Sequence, residues 1–323
     1  MRHLRPVPLV SRKEKYVMII PNRLKLGDTI GIVAPSNPII GDNIEELKRA
    51  KEIVEKSGFK VKFSKNLFCN KNGYSRTAQE KAEDINEMFQ DKEVKMIWCA
   101  KGGSNSNTTF EFLDYESIKQ NPKIICGYSD ITSITNMITA KTGLVTFSGT
   151  NFKTIATDET DYSYQEALKR FVNVSLELGT ENEKYTTIQK GQAEGEIIGG
   201  NLNLLHSLVS GKYQINFIDK ILFIEEFGLE TDPAMASHFI AHMKQNKVFD
   251  QIKGLWIGHY KHESNISLEQ IVKDILGKNC HFPIIKSNNF GHTETKTVIP
   301  IGTKAKIDTK KSKKIKLIEQ CVK

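Results

Sequence analysis

The sequence predicts an α/β fold with a parallel, helix-covered sheet in the first half of the chain. Short apolar strand patterns alternate there with amphipathic helical patterns, which is typical of parallel sheets because helices connect their successive strands. Three of the predicted strands are followed by candidate site segments, at Ser36, at Gly102-Gly103 and at Ser129. Because ligands bind beyond the carboxyl ends of the strands in such sheets, we expect a binding site at this edge.

The first half contains five predicted strands, over residues 29–35, 59–63, 95–100, 123–128 and 144–147. A helix is predicted over residues 43–57, where apolar residues recur on one face before Gly58. A second helix opens at the capping box Thr77-x-x-Glu80 and runs to Phe89. A third helical pattern, beginning at Ile131, directly follows the fourth strand.

The second half begins after a polar stretch, residues 150–191, that predicts an irregular connection. Strands are predicted around residues 196–198, 220–224 and 254–259, and several short strands follow near the C-terminus. Helices are predicted after Asn201, after Asp232-Pro233 and over residues 267–276. We therefore divide the chain into a basic leader (1–17), an N-terminal domain (18–150), a connecting segment (151–190) and a C-terminal domain (191–323).

The net charge of +8 lies mostly at the two ends of the 323-residue chain. Residues 1–17 carry +4 and residues 304–323 carry +6, which leaves −2 for the body. We expect solvated basic ends and no nucleic-acid partner, since no RNA-binding aromatic motif or zinc-finger spacing accompanies the charge. No membrane partner is expected either, because no apolar run approaches the roughly 18 residues of a membrane span.

The cysteines predict a reducing, cytoplasmic location. There are five of them, an odd number, and no C-x-x-C pair occurs. Cys99 and Cys126 fall in apolar strand patterns, where a free cysteine behaves as a small hydrophobic residue.

Ser129 is the strongest candidate for a nucleophile. It follows an apolar strand in Gly127-Tyr128-Ser129-Asp130 and precedes a helical pattern, so its hydroxyl is expected on a sharp turn. The backbone N–H groups at the start of that helix are free to stabilise an oxyanion. The signal by itself is incomplete, since Ile131 stands where the usual G-x-S-x-G motif has its second glycine.

A serine nucleophile needs a base, and His292 is the best placed of the eight histidines. It lies in a polar loop directly after Gly291, between two predicted strands. His206, His238 and His242 fall in helical patterns, where a packed or surface histidine is the simpler interpretation. No metal-ligand spacing accompanies them, so no metal is expected.

Two further segments are candidates for parts of a site. Glu225 and Glu226 end an apolar strand. Because strand side chains alternate between the two faces, we expect only one of the two to point inward, where it would need a partner. The alternative is an acid that is simply exposed at the end of the strand. Gly102-Gly103, followed by Ser104 to Asn107, is either a tight strand-to-helix turn or a loop that brings backbone N–H groups to a substrate.

Taken in order, six separated blocks resemble the serine peptidase family of LD-carboxypeptidases and the microcin C self-immunity peptidase. The likeness spans residues 24–308. The blocks are Ile30-Gly31-Ile32-Val33-Ala34-Pro35-Ser36, Lys101-Gly102-Gly103, Gly127-Tyr128-Ser129-Asp130-Ile131-Thr132, Gly199-Gly200-Asn201-Leu202, Phe223-Ile224-Glu225-Glu226 and Phe290-Gly291-His292-Thr293.

The resemblance implies a Rossmann- or flavodoxin-like N-terminal α/β domain, a smaller β-rich α+β C-terminal domain, and a homodimer. It implies a Ser–Glu–His triad in which Ser129 is the nucleophile, Glu225 the orienting carboxylate and His292 the general base. It also implies an oxyanion hole from the backbone N–H of Asp130 and one of Gly102-Gly103, and no cofactor. Substrate contacts are expected from three further residues, Ser104, Asn105 and Asn201.

Within that family, Gly102-Gly103-Ser104-Asn105 looks like the microcin-immunity branch, which cleaves the amide between a peptidyl or aminoacyl group and a nucleotide-like moiety. The tryptophan that this branch often carries before the Gly-Gly-Asn block is absent here, and Tyr185 is the aromatic residue of that region. The alternatives are a muropeptide LD-carboxypeptidase, which releases a terminal D-alanine, and a non-catalytic binding protein on the same fold.

Overall fold

The computed structural model of the protein describes residues 17–71, 76–180, 183–277 and 280–323. The first half folds into alternating strands and helices, as predicted. Its strands are β1 (Thr29–Val33), β2 (Lys60–Phe63), β3 (Val94–Cys99), β4 (Ile124–Gly127) and β5 (Thr146–Ser148). Its helices are α1 (Asp42–Lys56), α2 (Ala78–Gln90), α3 (Tyr115–Gln120) and α4 (Ile131–Thr142). The predicted capping box at Thr77 and Glu80 opens α2, which confirms that prediction.

The segment after β5 is more regular than predicted. It contains α5 (Tyr162–Phe171) and β6 (Thr186–Gln189), as well as a short 3₁₀ turn. Tyr164 and Phe171 are buried on α5, and their rings pack against Trp98 with centroids 6.4 and 6.2 Å away. The prediction of an irregular connection was wrong because the buried face of α5 also holds charged side chains, those of Glu166 and Arg170, which a sequence pattern counts as polar.

In the described part of the second half, strands and helices alternate at first and then give way to short strands, with seven strands and four helices in all. These are β7 (Gln192–Asn201), α6 (Leu202–His206), β8 (Lys220–Glu225), α7 (Pro233–Gln245), α8 (Val248–Gln251), β9 (Gly254–Ile257), α9 (Leu268–Leu276), β10 (Ile284–Lys286), β11 (Ile299–Ile301), β12 (Lys304–Asp308) and β13 (Ile315–Leu317).

The strands form two sheets. The first has the order β11-β5-β4-β3-β1-β2, in which β1 to β5 are parallel and β11 is antiparallel. The second has the order β13-β12-β7-β8-β9-β10-β6, with parallel strands β7 to β10 at its centre and antiparallel neighbours on both sides. This arrangement confirms the predicted α/β fold class, although β11 crosses from the second half into the first sheet. The domain boundaries stay a prediction.

The basic C-terminal segment is folded. Alternate residues of β12 are buried, and Cys321 and Val322 beyond β13 are buried too. Lys306 pairs with Glu194 of the adjacent strand at 2.7 Å. The expectation of a solvated C-terminal end was therefore wrong, because a two-residue apolar alternation underlies the lysines. Residues 1–16 of the predicted leader lie outside the described residues.

Two further observations concern the whole of the described chain. None of its helices is both long and apolar enough to cross a bilayer. All five cysteines are free, and Cys99 and Cys126 are buried in β3 and β4, as their apolar surroundings predict.

The two sheets meet where α4 packs against the end of β7. The side chain of Asn136 donates to the carbonyl oxygen of Gly199 (2.8 Å) and accepts from its N–H (3.2 Å). Gly200, at φ 143°, passes so close to Thr132 that a Cβ there would lie 2.4 Å from the threonine hydroxyl. Because α4 begins just after Ser129, this contact places the second sheet beside the candidate nucleophile.

Candidate active site

Ser129 lies on a strained turn between β4 and α4. Its φ of 64° is in the left-handed region, which a residue with a Cβ rarely adopts. The turn places the side chain against Gly102, where a Cβ would come within 2.9 Å of the Ser129 Cβ. The loop that follows β3 can therefore approach Ser129 this closely only because residue 102 is a glycine.

His292 and Glu225 meet Ser129 from the second half of the chain. The Nε2 atom of His292 lies 3.1 Å from the Ser129 Oγ. Its Nδ1 atom lies 2.8 Å from Oε2 of Glu225, and its backbone N–H donates to the same oxygen at 3.1 Å. Gly291, at φ 91°, brings the loop so close that a Cβ would lie 2.5 Å from this carboxylate oxygen. The structure thus brings together the three residues that the sequence singled out, in one hydrogen-bonded chain.

The environment of His292 sets both its proton distribution and its affinity for a proton. A carboxylate only accepts hydrogen bonds, so Nδ1 donates to Glu225 and Nε2 is left to accept from the Ser129 hydroxyl. Burial lowers the pKa of His292, but the charge and hydrogen bond of Glu225, helped by Glu226, outweigh it and raise the pKa above its usual 6.5. Phe227 stacks on the imidazole at 4.6 Å and holds its plane.

Glu226 is also buried, which corrects the expectation that only one of the two acids points inward. Glu225 is 3% exposed and Glu226 is 2% exposed. The strand ends at Glu225, so the alternation of faces does not extend to the next residue. Glu226 accepts from the Asn201 side chain (2.9 Å) and from the N–H of Asn203 (2.8 Å). Burial and the nearby charge of Glu225 raise its pKa.

The N–H groups expected to form an oxyanion hole lie beside Ser129. Within the described ranges, no hydrogen bond uses the backbone N–H of Gly103 or of Asp130. Asp130 directly follows Ser129 in the chain. Gly103 directly follows Gly102, the glycine that packs against the Ser129 side chain. Both donors are therefore free to bind a developing negative charge, as such a site requires.

The three expected substrate contacts have different surroundings. Ser104 is exposed, and its N–H donates to the side chain of Asn37 (3.0 Å). The Asn105 side chain accepts from the Lys81 ammonium, and the Asn201 side chain donates to Glu226 and caps α6. The amides of Asn105 and Asn201 therefore already have protein partners, and the substrate roles of all three residues stay predictions.

The sequence analysis missed Lys81 and the carboxylate of Asp130. Lys81 is 1% exposed and Asp130 is fully buried, and both hold the loop that follows Gly103. A signal for Lys81 was available, since it precedes Ile85 by four residues and Met88 by seven on the buried face of α2. The partner of Asp130, Ser106, lies 24 residues away in sequence, which no local pattern reveals.

The helical histidines pack against aromatic rings and against each other. His206 stacks on Phe239 at 4.2 Å, and His242 is 5.7 Å from His206. Within the described part of the chain, no group of three or more His, Cys, Asp or Glu side chains is placed to hold a metal ion.

Comparison with protein families identifies both halves of the chain. A model described as the LD-carboxypeptidase N-terminal domain matches residues 30–149, and one described as the LD-carboxypeptidase C-terminal domain matches residues 194–307. The chain belongs to the LD-carboxypeptidase family. It is therefore a serine peptidase, related to murein carboxypeptidases and to the microcin self-immunity protein.

Individual relatives cover nearly the whole chain. The "Probable murein peptide carboxypeptidase" of Bacillus subtilis (strain 168) is 33% identical over 90% of this chain and 91% of its own length. An MccF-like protein from Bacillus anthracis str. Ames is 32% identical, with a TM-score of 0.84 over 94% of this chain and 99% of its own. The microcin C7 self-immunity protein MccF, in complex with aspartyl sulfamoyl adenosine, is 28% identical, with a TM-score of 0.86 over 94% and 100% of the two chains.

Proposed function

We propose that the protein hydrolyses an amide with a Ser129–His292–Glu225 triad, and that the substrate joins a peptidyl or aminoacyl group to a nucleotide-like moiety. The observation that carries the proposal is the continuous hydrogen-bonded chain from the Ser129 hydroxyl through the His292 ring to the Glu225 carboxylate. Each member comes from a different part of the sequence, so chance proximity of neighbours in the chain does not explain it.

In this mechanism, His292 takes the Ser129 proton on Nε2 as the serine oxygen attacks the amide carbonyl. The N–H groups of Gly103 and Asp130 stabilise the resulting oxyanion. His292 then gives the proton to the leaving nitrogen, and water hydrolyses the acyl-enzyme with His292 again as the base. Glu225 stays ionised and holds the imidazole in the tautomer that the first step requires.

The substrate class rests on the likeness to MccF, whose solved structure contains aspartyl sulfamoyl adenosine. The same enzyme chemistry would serve a muropeptide, and the B. subtilis relative named as a murein peptide carboxypeptidase favours that second candidate. Tyr185 does not decide between them. It is half-buried against the core, and its hydroxyl lies 3.4 Å from the carbonyl oxygen of Leu178, so we assign it no contact with a nucleobase.

The decisive experiment compares Ser129→Ala with Ser133→Ala. Ser133 lies in the same helix start, and its buried hydroxyl has no hydrogen-bond partner among the described residues, so its removal controls for loss of a serine there. We expect Ser129→Ala to lose about 10⁴-fold or more of the rate while Ser133→Ala keeps it. Full activity of folded Ser129→Ala would refute the proposed mechanism.

Two substrates tested side by side will separate the candidates. Purified protein is incubated with aspartyl sulfamoyl adenosine and with a cell-wall tetrapeptide, and mass spectrometry follows release of the nucleoside sulfamate and of D-alanine. We expect the first product to dominate. Release of D-alanine alone would assign the murein reaction instead.

We also place the reaction in the cytoplasm and expect a homodimer. The five free cysteines suit a reducing compartment, and the dimer follows from the family resemblance. Measurement of the mass in solution by light scattering tests the second expectation, since the monomer has a mass of 36.5 kDa.

A further inference from the structure

Lys81 is a buried lysine without an acidic partner at ion-pair distance among the described residues. It lies on the inner face of α2 and is 1% exposed. Its ammonium donates to both oxygens of Asn105, at 3.0 Å to the carbonyl and 2.6 Å to the side-chain amide. Burial of an ammonium group is costly unless specific contacts compensate for it. The position of this lysine therefore calls for an explanation beyond packing.

Among the described residues, the two hydrogen bonds of the Lys81 ammonium both go to Asn105, in the loop that carries the N–H of Gly103. Asn105 has a φ of 68°, so the chain turns there in the left-handed region. The side-chain amide and the carbonyl of Asn105 both face the same ammonium, which holds this turn in one conformation.

The next residue of the loop, Ser106, is hydrogen-bonded to Asp130, the residue that follows Ser129. The carboxylate of Asp130 accepts from the N–H of Ser106 (2.8 Å) and from the Ser36 hydroxyl (2.5 Å). The Ser106 hydroxyl donates back to the carbonyl oxygen of Asp130 at 2.7 Å. The loop is thus anchored at Asn105 by α2 and at Ser106 by the residue that supplies the second free N–H.

We propose that Lys81 is a positioning residue that holds the Gly103 N–H in line with the Asp130 N–H. The proposal deepens the proposed function and rests on it, since it assigns the loop the oxyanion-binding role. The two donors belong to separate segments, and both must point at one oxygen atom. Loss of the Lys81 contact frees Asn105, and a shift of about 1 Å in such a donor can cost on the order of 100-fold in rate.

The charge state of Lys81 is compatible with this role. Burial lowers its pKa to about 8, against the attraction of Asp130, which raises it, while Arg76 lowers it further. The ammonium is therefore mostly protonated near pH 7, and it donates to Asn105 in that state.

The test compares Lys81→Met with Lys123→Met. Lys123 is a matched control because it is also buried, at 8% exposed, and donates to backbone carbonyls, including that of Met88 (2.8 Å), away from the loop. Oxyanion donors act on the transition state, so we expect Lys81→Met to lower kcat about 100-fold with KM within twofold of wild type. Lys123→Met should leave both constants unchanged. The substrate is aspartyl sulfamoyl adenosine or the cell-wall tetrapeptide, whichever the wild-type protein hydrolyses.

A second pair of variants alters only the side-chain acceptor at Asn105 and leaves the buried lysine in place. Asn105→Gly tolerates the positive φ but loses the amide oxygen, and we expect a reduced kcat. Asn105→Asp keeps an oxygen acceptor for Lys81, and we expect its kcat to exceed that of Asn105→Gly by about tenfold or more. Recovery of kcat in the aspartate variant supports positioning through this contact, because a merely structural effect does not depend on that oxygen.

Three outcomes would overturn the inference: wild-type kcat in folded Lys81→Met, equal losses in the two lysine variants, or equal kcat in the two Asn105 variants. The inference and the proposed function fail separately. If Ser129→Ala retains full activity, the triad itself is wrong. If Ser129→Ala is inactive but Lys81→Met is fully active, only the role of Lys81 is wrong.

Discussion

The imidazole of His292 is subject to two opposing effects on its pKa. Burial disfavours the charged ring, whereas the carboxylate of Glu225 at 2.8 Å favours it, with a smaller contribution from Glu226. The effect of the carboxylates is the larger of the two, so the pKa of His292 lies above the usual 6.5. In the proposed mechanism His292 is the general base, which must be unprotonated to accept the serine proton, so we expect the active fraction of the enzyme to rise as the pH rises through this pKa.

We therefore expect the acidic limb of the pH profile of kcat/KM to titrate above pH 6.5. Glu225→Gln removes the charge that raises the pKa, so the limb should move to lower pH while the rate falls by about 10⁴-fold. Steady-state rates between pH 5 and 9 provide the measurement.

Glu226→Gln is the comparison for that prediction, since it removes a charge that lies further from the ring and makes no hydrogen bond to it. We expect a smaller shift of the limb in the same direction and a much smaller loss of rate. An acidic limb that does not move in Glu225→Gln would contradict the electrostatic account.

The end of strand β7 packs against α4 so closely that it requires a glycine. Its last residues approach α4 so closely that Gly200 has no room for a Cβ, because Thr132 stands 2.4 Å from where the Cβ would lie. Thr132 also accepts the N–H of Asn201 at 3.0 Å. The end of this strand therefore packs directly on the first turn of the helix that follows Ser129.

Gly200→Ala should destabilise the protein and reduce its activity. Added volume at a packed contact costs about 1–3 kcal/mol, and the displaced Thr132 lies one turn from Ser129. Gly211→Ala is the matched control, because Gly211 also has a positive φ (83°) but has open space around it. Urea unfolding gives the free energy of unfolding of each variant. Equal losses in the two variants would show that backbone strain, and not the contact with Thr132, limits this position.

The two sheets are joined by polar contacts as well as by β11. Strand β12 pairs with β7 only from Gln192 to Glu196, so the backbone groups of Gly199 on that side need other partners. Asn136 supplies both, from within α4. This pair of hydrogen bonds connects the half of the molecule that holds Ser129 to the half that holds Glu225 and His292.

Asn136→Leu should lower the free energy of unfolding by about 2–6 kcal/mol. The reason is that it leaves a buried N–H and a buried carbonyl of Gly199 without partners, at about 1–3 kcal/mol each. Asn246→Leu is the control, since among the described residues the Asn246 side chain makes one hydrogen bond, to the carbonyl of His242 within the same helical end. Urea titration followed by circular dichroism measures both variants. A loss no larger than that of the control would show that the contact contributes little to the joining of the sheets.

Local sequence patterns were sufficient to predict the parallel strands of the first sheet and the candidates for the proposed triad. Strands β1 to β5 were predicted to within two residues at each end, because apolar runs bounded by glycine and polar residues are local signals. Ser129, Glu225 and His292 were recognisable from their places at strand ends and loops and from the order of the six blocks. The helix α5 and the folded C-terminal strands were missed where polar residues obscured the period.

The contacts between these residues depend on the folded molecule and could not be predicted from local patterns. The chain separates Ser129 from His292 by 163 positions and Lys81 from Asn105 by 24, and no local pattern encodes those contacts. The buried carboxylate of Glu226 likewise depends on Asn201 and Asn203, which belong to a neighbouring strand and helix, and that of Glu225 depends on His292. Local patterns follow from backbone geometry within a few residues, whereas a site forms where packed elements bring distant side chains within hydrogen-bond distance, and packing alone sets those distances.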